Sequence, residues 1–349
     1  MIAMYFKNAV EFLRNLKDNE DVIIIFNNDA DGITSCAMLM KYLAAKKIKP
    51  YIISQPMPPD KNLMRRIQLS LPKKVIFLDM AIDQESSIVK KLKGYSSILV
   101  IDHHKIFMDL NEEGVVHYNP RFDEGDVYKS TAYLTYKLLS ELMAMEDHLW
   151  ISAVGMIGDY NLENSKDLVE LTKKKYDVKD LHSSFLAKIA HMIESARSSK
   201  SLTCEEITEK MLAAKSYDDI LNLDEMIRPY EEVQKEIERI KEDFDKNAEI
   251  IGILMLYNIK SKYNLSSAIS TIVSGGHKNK IVIVYEKKGN RIKMSARNQG
   301  KNFDLDYLLK KVTKGMRASA GGHKMAAGAV IEENDWDLFK KRLVAIAGK

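Results

Sequence analysis

Apolar runs of strand length recur through the first half of the chain, and three of them end in acidic or imidazole-bearing clusters. Val22-Ile23-Ile24-Ile25-Phe26 leads into Asn27-Asn28-Asp29-Ala30-Asp31-Gly32, Val75-Ile76-Phe77-Leu78 leads into Asp79, and Ser97-Ile98-Leu99-Val100-Ile101 leads into Asp102-His103-His104. Helical spacing fills residues 34–46, 83–92 and 131–143. In the first of these Met38, Leu39, Tyr42 and Leu43 fall on one face, and Asp31 stands where an N-cap is favoured. This alternation predicts a doubly wound α/β domain built on a parallel sheet. The carboxyl ends of such strands open into one crevice, so clusters distant in sequence converge there.

Residues 161–248 are polar and helix-rich, with no strand-like run. Within them Val233, Ile237, Ile240 and Phe244 repeat at coiled-coil spacing among charged neighbours, the pattern of an amphipathic helix packed on a domain, with a partner-binding helix as the alternative. A second alternation begins at Ile250, with strands expected over 250–256, 281–285, 293–296 and 326–331 and helices over 265–273, 304–313 and 334–347. The expected organisation is a first domain over residues 1–165, a helical connector over 166–248 and a smaller α/β domain over 249–349, with the substrate site in the cleft between domains.

A chain of 349 residues exceeds a usual single core, in keeping with two domains. Hydrophobic content of 46% and charged content of 29% exclude a disordered chain. No apolar run approaches a membrane span, and Met1-Ile2-Ala3-Met4-Tyr5-Phe6-Lys7 lacks the cationic start of a signal peptide, so a cytoplasmic location without membrane contact is expected. Cys36 and Cys204 have no metal-ligand spacing and read as buried apolar groups. The formal net charge of +4 neither demands nor excludes a polyanion, although lysines and arginines from Lys278 to Arg317, Lys301 among them, make the second α/β region locally basic.

The clusters raise a charge problem. Carboxylates and imidazoles gathered in one crevice, with no cationic side chain in the motifs, repel one another unless a metal ion sits between them. Oxygen-rich ligands with one or two imidazoles suit manganese or magnesium, and the absence of thiolates argues against a structural zinc site. His117 and His148 lie outside these clusters and read as ordinary histidines.

The clusters, together with Gly155-Met156-Ile157-Gly158-Asp159 and Gly321-Gly322-His323-Lys324-Met325-Ala326-Ala327-Gly328, resemble in order and spacing the motifs of the DHH phosphoesterase superfamily. That superfamily includes RecJ exonucleases, phosphodiesterases of short oligonucleotides and cyclic dinucleotides, and family II pyrophosphatases. The resemblance implies a DHH catalytic domain followed by a DHH-associated substrate-binding domain. It also implies a two-metal centre, Mn2+ first and Mg2+ as an alternative. Asp29 would bind one ion, Asp31 and His103 the other, Asp79 would bridge both, and Asp159 would complete the second ion's shell. His104 would face the scissile phosphate and Asp102 would orient a histidine rather than touch metal. Arg297 in Ser295-Ala296-Arg297-Asn298, with Gly321, Gly322 and His323, would bind substrate phosphate. The similar triplet Gly275-Gly276-His277 lacks the Ala-Ala-Gly that follows and reads as a turn.

Within the superfamily, Ile25 stands where pyrophosphatases carry histidine, and Asn28-Asp29-Ala30-Asp31-Gly32 is more similar to the RecJ pattern than to the Pro-Asp-Gly-Asp of the nanoRNases. The sequence looks like a compact archaeal RecJ-like exonuclease on single-stranded DNA or RNA, which places it in DNA replication and repair. The alternatives are a nanoRNase-like phosphodiesterase and a Cdc45-like scaffold associated with the GINS replication complex. One departure stands out: Asn27 occupies a position where RecJ-type sequences carry an aspartate or a histidine. As a possible metal ligand it offers only a neutral carbonyl oxygen, so the first ion should be held less tightly.

Overall fold

The computed structural model describes residues 4–160, 162–300 and 303–347. The chain divides into two compact units, Met1–Tyr230 and Glu231–Lys349.

The first unit is built on five parallel strands, β1 (Val22–Asn27), β2 (Tyr51–Gln55), β3 (Lys74–Leu78), β4 (Ser97–Ile101) and β5 (Val115–Tyr118), in spatial order β2-β1-β3-β4-β5. Side chains alternate across a strand, and each strand here feeds two cores. Ile24, Phe26, Ile76, Leu78, Leu99 and Ile101 pack with the helices Met4–Arg14, Ala30–Ala45, Thr131–Ser140 and Leu149–Gly158. Ile23, Ile25, Val75, Phe77, Ile98 and Val100 pack with Leu63–Gln68 and Ser86–Leu92. Burial on both faces explains why the runs 22–26, 75–78 and 98–101 of β1, β3 and β4 are uniformly apolar, and confirms the doubly wound α/β fold expected.

The helices expected between residues 166 and 248 are present. Up to Tyr230 they close over the first unit, where Leu168, Leu186, Ile193, Met211 and Ile220 are buried in its larger core. The helix Asp224–Asn247 then lays Val233, Ile237, Ile240 and Phe244 against one face of the second sheet, with Met255, Tyr257, Val282 and Val284. Its coiled-coil spacing thus serves packing within the unit.

The second unit carries β6 (Glu249–Ile251), β7 (Leu254–Asn258), β8 (Ile281–Lys288), β9 (Arg291–Arg297), β10 (Ala318–Gly322) and β11 (Ala326–Glu332), in spatial order β10-β11-β9-β8-β7-β6. All neighbours are antiparallel except β7 and β8. The single strand expected over 250–256 is broken at Gly252, whose φ of +58° turns the chain back as a hairpin. The helices Leu305–Val312 and Trp336–Ala347 cover the face opposite Asp224–Asn247. Among the described residues no helix is long and apolar enough to cross a membrane.

Candidate metal centre

Register aligns the strand ends of the first sheet. Phe26 pairs with Leu78, Leu78 with Ile101 and Ile101 with Tyr118, so the next residues, Asn27, Asp79, Asp102 and Asn119, leave the sheet side by side. The strand order reverses between β1 and β3, with β2 on the far side of β1, and such a switch point opens a crevice at the carboxyl ends. Asp79 stands in that crevice with a left-handed φ of +58°, which aspartate tolerates better than most residues.

Two helix starts complete the crevice. Asp29, and not Asp31 as the sequence led us to expect, is the N-cap of Ala30–Ala45, its Oδ1 accepting the Gly32 N–H at 3.0 Å. The chain turns there so tightly that a Cβ on Gly32 would lie 2.2 Å from the Asn27 carbonyl oxygen. Asp31, in the first turn, is aimed at the start of Thr131–Ser140, where Thr131 and Ala132 N–H groups donate to its two oxygens at 2.7 Å each. The exposed amides of a helix N-terminus thereby fix a buried carboxylate.

His103 is the hub. Its Nε2 lies 3.1 Å from Asp79 Oδ1 and its Nδ1 3.8 Å from Asp159 Oδ2. Asp159 closes the helix Leu149–Gly158, and its Oδ1 accepts the Tyr128 hydroxyl at 2.8 Å. Asp31, His103 and Asp159 offer ligand atoms all within 4.8 Å of one another, as do Asp79, Asp102, His103 and His104. Asp31, Asp79, Asp102 and His103 are each no more than 2% exposed.

Burial, then the Asp159 and Asp29 charges, push Asp31 well above the usual carboxylate range. Burial, then Asp29, Asp31, Asp159 and Asp102, do the same to Asp79. Buried carboxylates that raise one another in this way, converging on an imidazole, form a donor set that a hard divalent cation satisfies. The residues present fit a metal ion.

The next pair behaves differently. Asp102 Oδ1 lies 2.7 Å from His104 Nδ1. Burial alone would lower His104, but the adjacent Asp102 carboxylate lifts it to about 9. Burial would raise Asp102, yet the His104 charge and hydrogen bond hold it well below the usual range. His104 is thus a cationic imidazole beside the carboxylates.

Asn27 sits between Asp29 and Asp79. Its Oδ1 accepts the Asn28 N–H at 2.9 Å, while its Nδ2 donates to Asp29 Oδ2 at 2.5 Å and to Asp79 Oδ2 at 3.2 Å. In this orientation the amide presents donors, not the carbonyl oxygen expected of a ligand.

Several residues of the site carried no motif. Tyr128 holds Asp159, Asn119 Nδ2 donates to the His104 carbonyl at 2.9 Å, and Arg121 Nε donates to the His103 carbonyl at 3.1 Å. The strand-end rule would have reached Asn119, had His117 not interrupted the apolar run before it. His117 is buried beside Phe122, while His148 is the N-cap of Leu149–Gly158.

In the second unit Arg297 ends β9 opposite Ala326, and His323 N–H donates to the Ala326 carbonyl at 2.7 Å in the turn from β10 to β11. Ser295, Arg297, Gly321, Gly322 and His323 therefore share one end of the second sheet. Gly322 has a φ of +149°, and a Cβ there would lie 2.5 Å from the Ala326 carbonyl oxygen. Arg297 donates to Ser267, Thr271 and Ser295 hydroxyls at 3.0, 3.0 and 3.2 Å. Gly275-Gly276 closes the helix Ser266–Gly276 and is not a free-standing turn. Of the basic residues, Lys287, Lys288, Arg291 and Lys310 pair with Glu333, Glu286, Glu332 and Asp306, which weakens the basic patch, and Lys301 lies outside the described residues.

No curated protein matches the chain. Among solved structures, RecJ in complex with Mn2+ from Thermus thermophilus shares 18% identity at a TM-score of 0.76, covering 99% of this chain and 55% of that one. The chain thus spans about half the length of that RecJ. Exonuclease RecJ bound to manganese shares 19% identity at a TM-score of 0.72, covering 100% and 96%. CDC45 from Entamoeba histolytica shares 10% at 0.63, covering 97% of each chain. At these identities the likeness is one of fold. The N-terminal domain of the DHH family matches residues 21–156, and the DHHA1 domain matches residues 244–349. These matches fall in the order in which the motifs occur, and the chain belongs to the DHH family.

Proposed function

We propose that the chain is a metal-dependent phosphodiester hydrolase, an exonuclease that degrades single-stranded DNA or RNA by a two-metal mechanism, with Mn2+ preferred over Mg2+. The observation that carries this reading is the convergence of Asp31, Asp79, His103 and Asp159 from a helix start, two strand ends and a helix end, beside a cationic His104. The RecJ fold supports it.

Asp29 and Asp79 would hold one ion, and Asp31, Asp79, His103 and Asp159 the other. Bound there, divalent ions supply Lewis-acid polarisation of phosphoryl oxygens and acidify a bound water. Asp31 is kept in place by the Thr131 and Ala132 amides and Asp159 by the Tyr128 hydroxyl, so these two donors keep their positions without reorganisation. Asp102 orients His104 through Nδ1 and keeps it protonated, leaving Nε2–H to stabilise charge on the phosphoryl group or to protonate the leaving oxygen. Arg297, set by three hydroxyls of its own unit, and the Gly321-Gly322-His323 turn bind backbone phosphate.

A scaffold reading, with weak activity and a replication partner such as GINS, draws on Asn27 and on the CDC45 fold. Degradation of end-labelled single-stranded DNA and RNA in Mn2+, with a dinucleotide alongside a longer strand and Asp79→Ala as control, separates the readings. Stepwise loss of the longer strand, absent in the variant, is expected. Cleavage of the dinucleotide alone would replace the exonuclease by a short-oligonucleotide phosphodiesterase, and no cleavage by folded protein would favour the scaffold.

A further inference from the structure

The carboxylates of the centre fall into two groups. Asp31, His103 and Asp159 converge with ligand atoms inside 4.8 Å, and Asp79 Oδ1 reaches His103 Nε2 at 3.1 Å. Asp31 accepts the Thr131 and Ala132 amides at the start of Thr131–Ser140, and Asp159 accepts the Tyr128 hydroxyl. Between Asp29 and Asp79 the situation is different: the Asn27 side-chain NH2 lies there, 2.5 Å from one carboxylate and 3.2 Å from the other. Its direction is set by the Asn27 Oδ1 acceptor bond from Asn28 N–H, and the other Asp29 oxygen is occupied as an N-cap.

An amide with two N–H donors pointed at two carboxylates performs part of a cation's task, since each donor offsets negative charge that would otherwise be uncompensated. We infer that Asn27 makes the two cation positions of this centre unequal. One divalent ion binds tightly among Asp31, Asp79, His103 and Asp159. The position between Asp29 and Asp79 is held by the Asn27 amide and takes an ion only when that side chain rotates away and gives up both hydrogen bonds. The second ion is then the concentration-dependent one, and Asn27 sets the metal concentration at which the centre is complete. This rests on the metal-centre reading above and adds to it an order of binding.

The test is Mn2+ binding to metal-free protein, followed by calorimetry and by the EPR signal of free and coupled Mn2+, for the wild type, Asn27→Asp and Asn27→His. The wild type should take one ion tightly and a second with affinity lower by roughly 10–100-fold, the range over which partners of metal ligands ordinarily act. Asn27→Asp, which replaces a donor by a charged ligand, should narrow that gap and bring up the coupled two-ion signal at lower Mn2+. Asn27→His supplies a neutral ligand, and gives the same comparison if the added charge of aspartate unfolds the metal-free chain. Two equal affinities in the wild type, or an unchanged gap in both folded variants, would overturn the inference. Cleavage assays on the same proteins keep the two readings apart. Unequal sites without cleavage at saturating Mn2+ would remove the hydrolase and leave this inference standing, whereas cleavage by a wild type with two equal sites would do the reverse.

Discussion

Replacing Gly155 by alanine should damage the metal centre without removing a ligand. A Cβ on Gly155 would lie 2.2 Å from Thr34 Oγ1, 2.4 Å from Ala132 Cβ and 3.3 Å from Asp31 Oδ1, where ordinary contacts begin at 3.4 Å. Gly155 is where the helix Leu149–Gly158 crosses both Ala30–Ala45 and Thr131–Ser140, so relieving the overlap means separating helices by about 1 Å in a close-packed interior. Overpacking of this kind costs about 1–3 kcal/mol, while alanine in place of helical glycine returns about 1 kcal/mol. With two contacts under 2.5 Å the cost should fall at the upper end, for a net loss of about 2 kcal/mol, or about 4–8 °C in Tm for a unit of this size. The same displacement carries Ala132 and Thr131 away from Asp31, whose two 2.7 Å hydrogen bonds would stretch beyond useful range. Mn2+ affinity should therefore drop as well, by about tenfold. Urea unfolding and calorimetric Mn2+ titration measure the two effects. Gly275→Ala is the control, because nothing lies within 4 Å of a Cβ there and the helix Ser266–Gly276 should be unchanged or slightly stabilised. If Gly155→Ala unfolds at the wild-type urea concentration and binds Mn2+ equally well, the packing argument is wrong.

Asp79→Asn keeps a residue that accepts the left-handed backbone at φ +58° but removes a buried charge that four other carboxylates oppose. The Tm of the metal-free variant should match or exceed that of the wild type, while the stabilisation on adding Mn2+, about 2.7 kcal/mol of unfolding free energy at one hundred times Kd for the wild type and read as a rise in Tm, should vanish; a lower metal-free Tm would contradict the repulsion described. His117 is buried, with no hydrogen-bond partner for Nδ1 among the described residues, and burial lowers it from 6.5. Its neutral form contributes stability above that value, which is lost as pH falls through the lower folded-state value, because the unfolded chain binds the proton first. The Tm of wild type should thus decline more steeply than that of His117→Phe between about pH 7 and about pH 5, and parallel curves would count against it. Arg297→Lys replaces a fork held by three hydroxyls with a single ammonium. KM for an oligonucleotide should rise with kcat little changed, and a fall in kcat alone would move Arg297 from phosphate binding to the chemical step.

Legibility in the sequence followed burial. β1, β3 and β4 are central strands covered on both faces, so every fully buried residue in them is apolar and the runs were unmistakable. β2 and β5 are the edges of the same sheet and carry Tyr51, Ser54, Gln55 and His117, which hid them from a search for apolar runs. β10, with Ala318-Ser319-Ala320-Gly321-Gly322, is also an edge and has no bulky side chain to announce a strand. The glycines of Gly155-Met156-Ile157-Gly158-Asp159 read only as motif positions until the fold gave them neighbours: Thr34, Ala132 and Asp31 for Gly155, and Ala30 at 2.6 Å from a Cβ on Gly158.

By itself the sequence determined the two alternating α/β regions, the order of the acidic clusters and their need for a cation, because side-chain periodicity and charge are local properties. Which groups meet was decided by the tertiary structure. Strand register set Asn27, Asp79, Asp102 and Asn119 at one level, and a helix start from residues 131–132 reached Asp31 across a hundred residues of chain. Even the local expectation at Asp31 gave way, since Asp29 caps the helix while Asp31 accepts the Thr131 and Ala132 amides. The role of Asn27 shows the difference most plainly. Its chemistry offers a donor and an acceptor alike, and only the surrounding backbone, by engaging its carbonyl with Asn28, turned the donors toward the carboxylates.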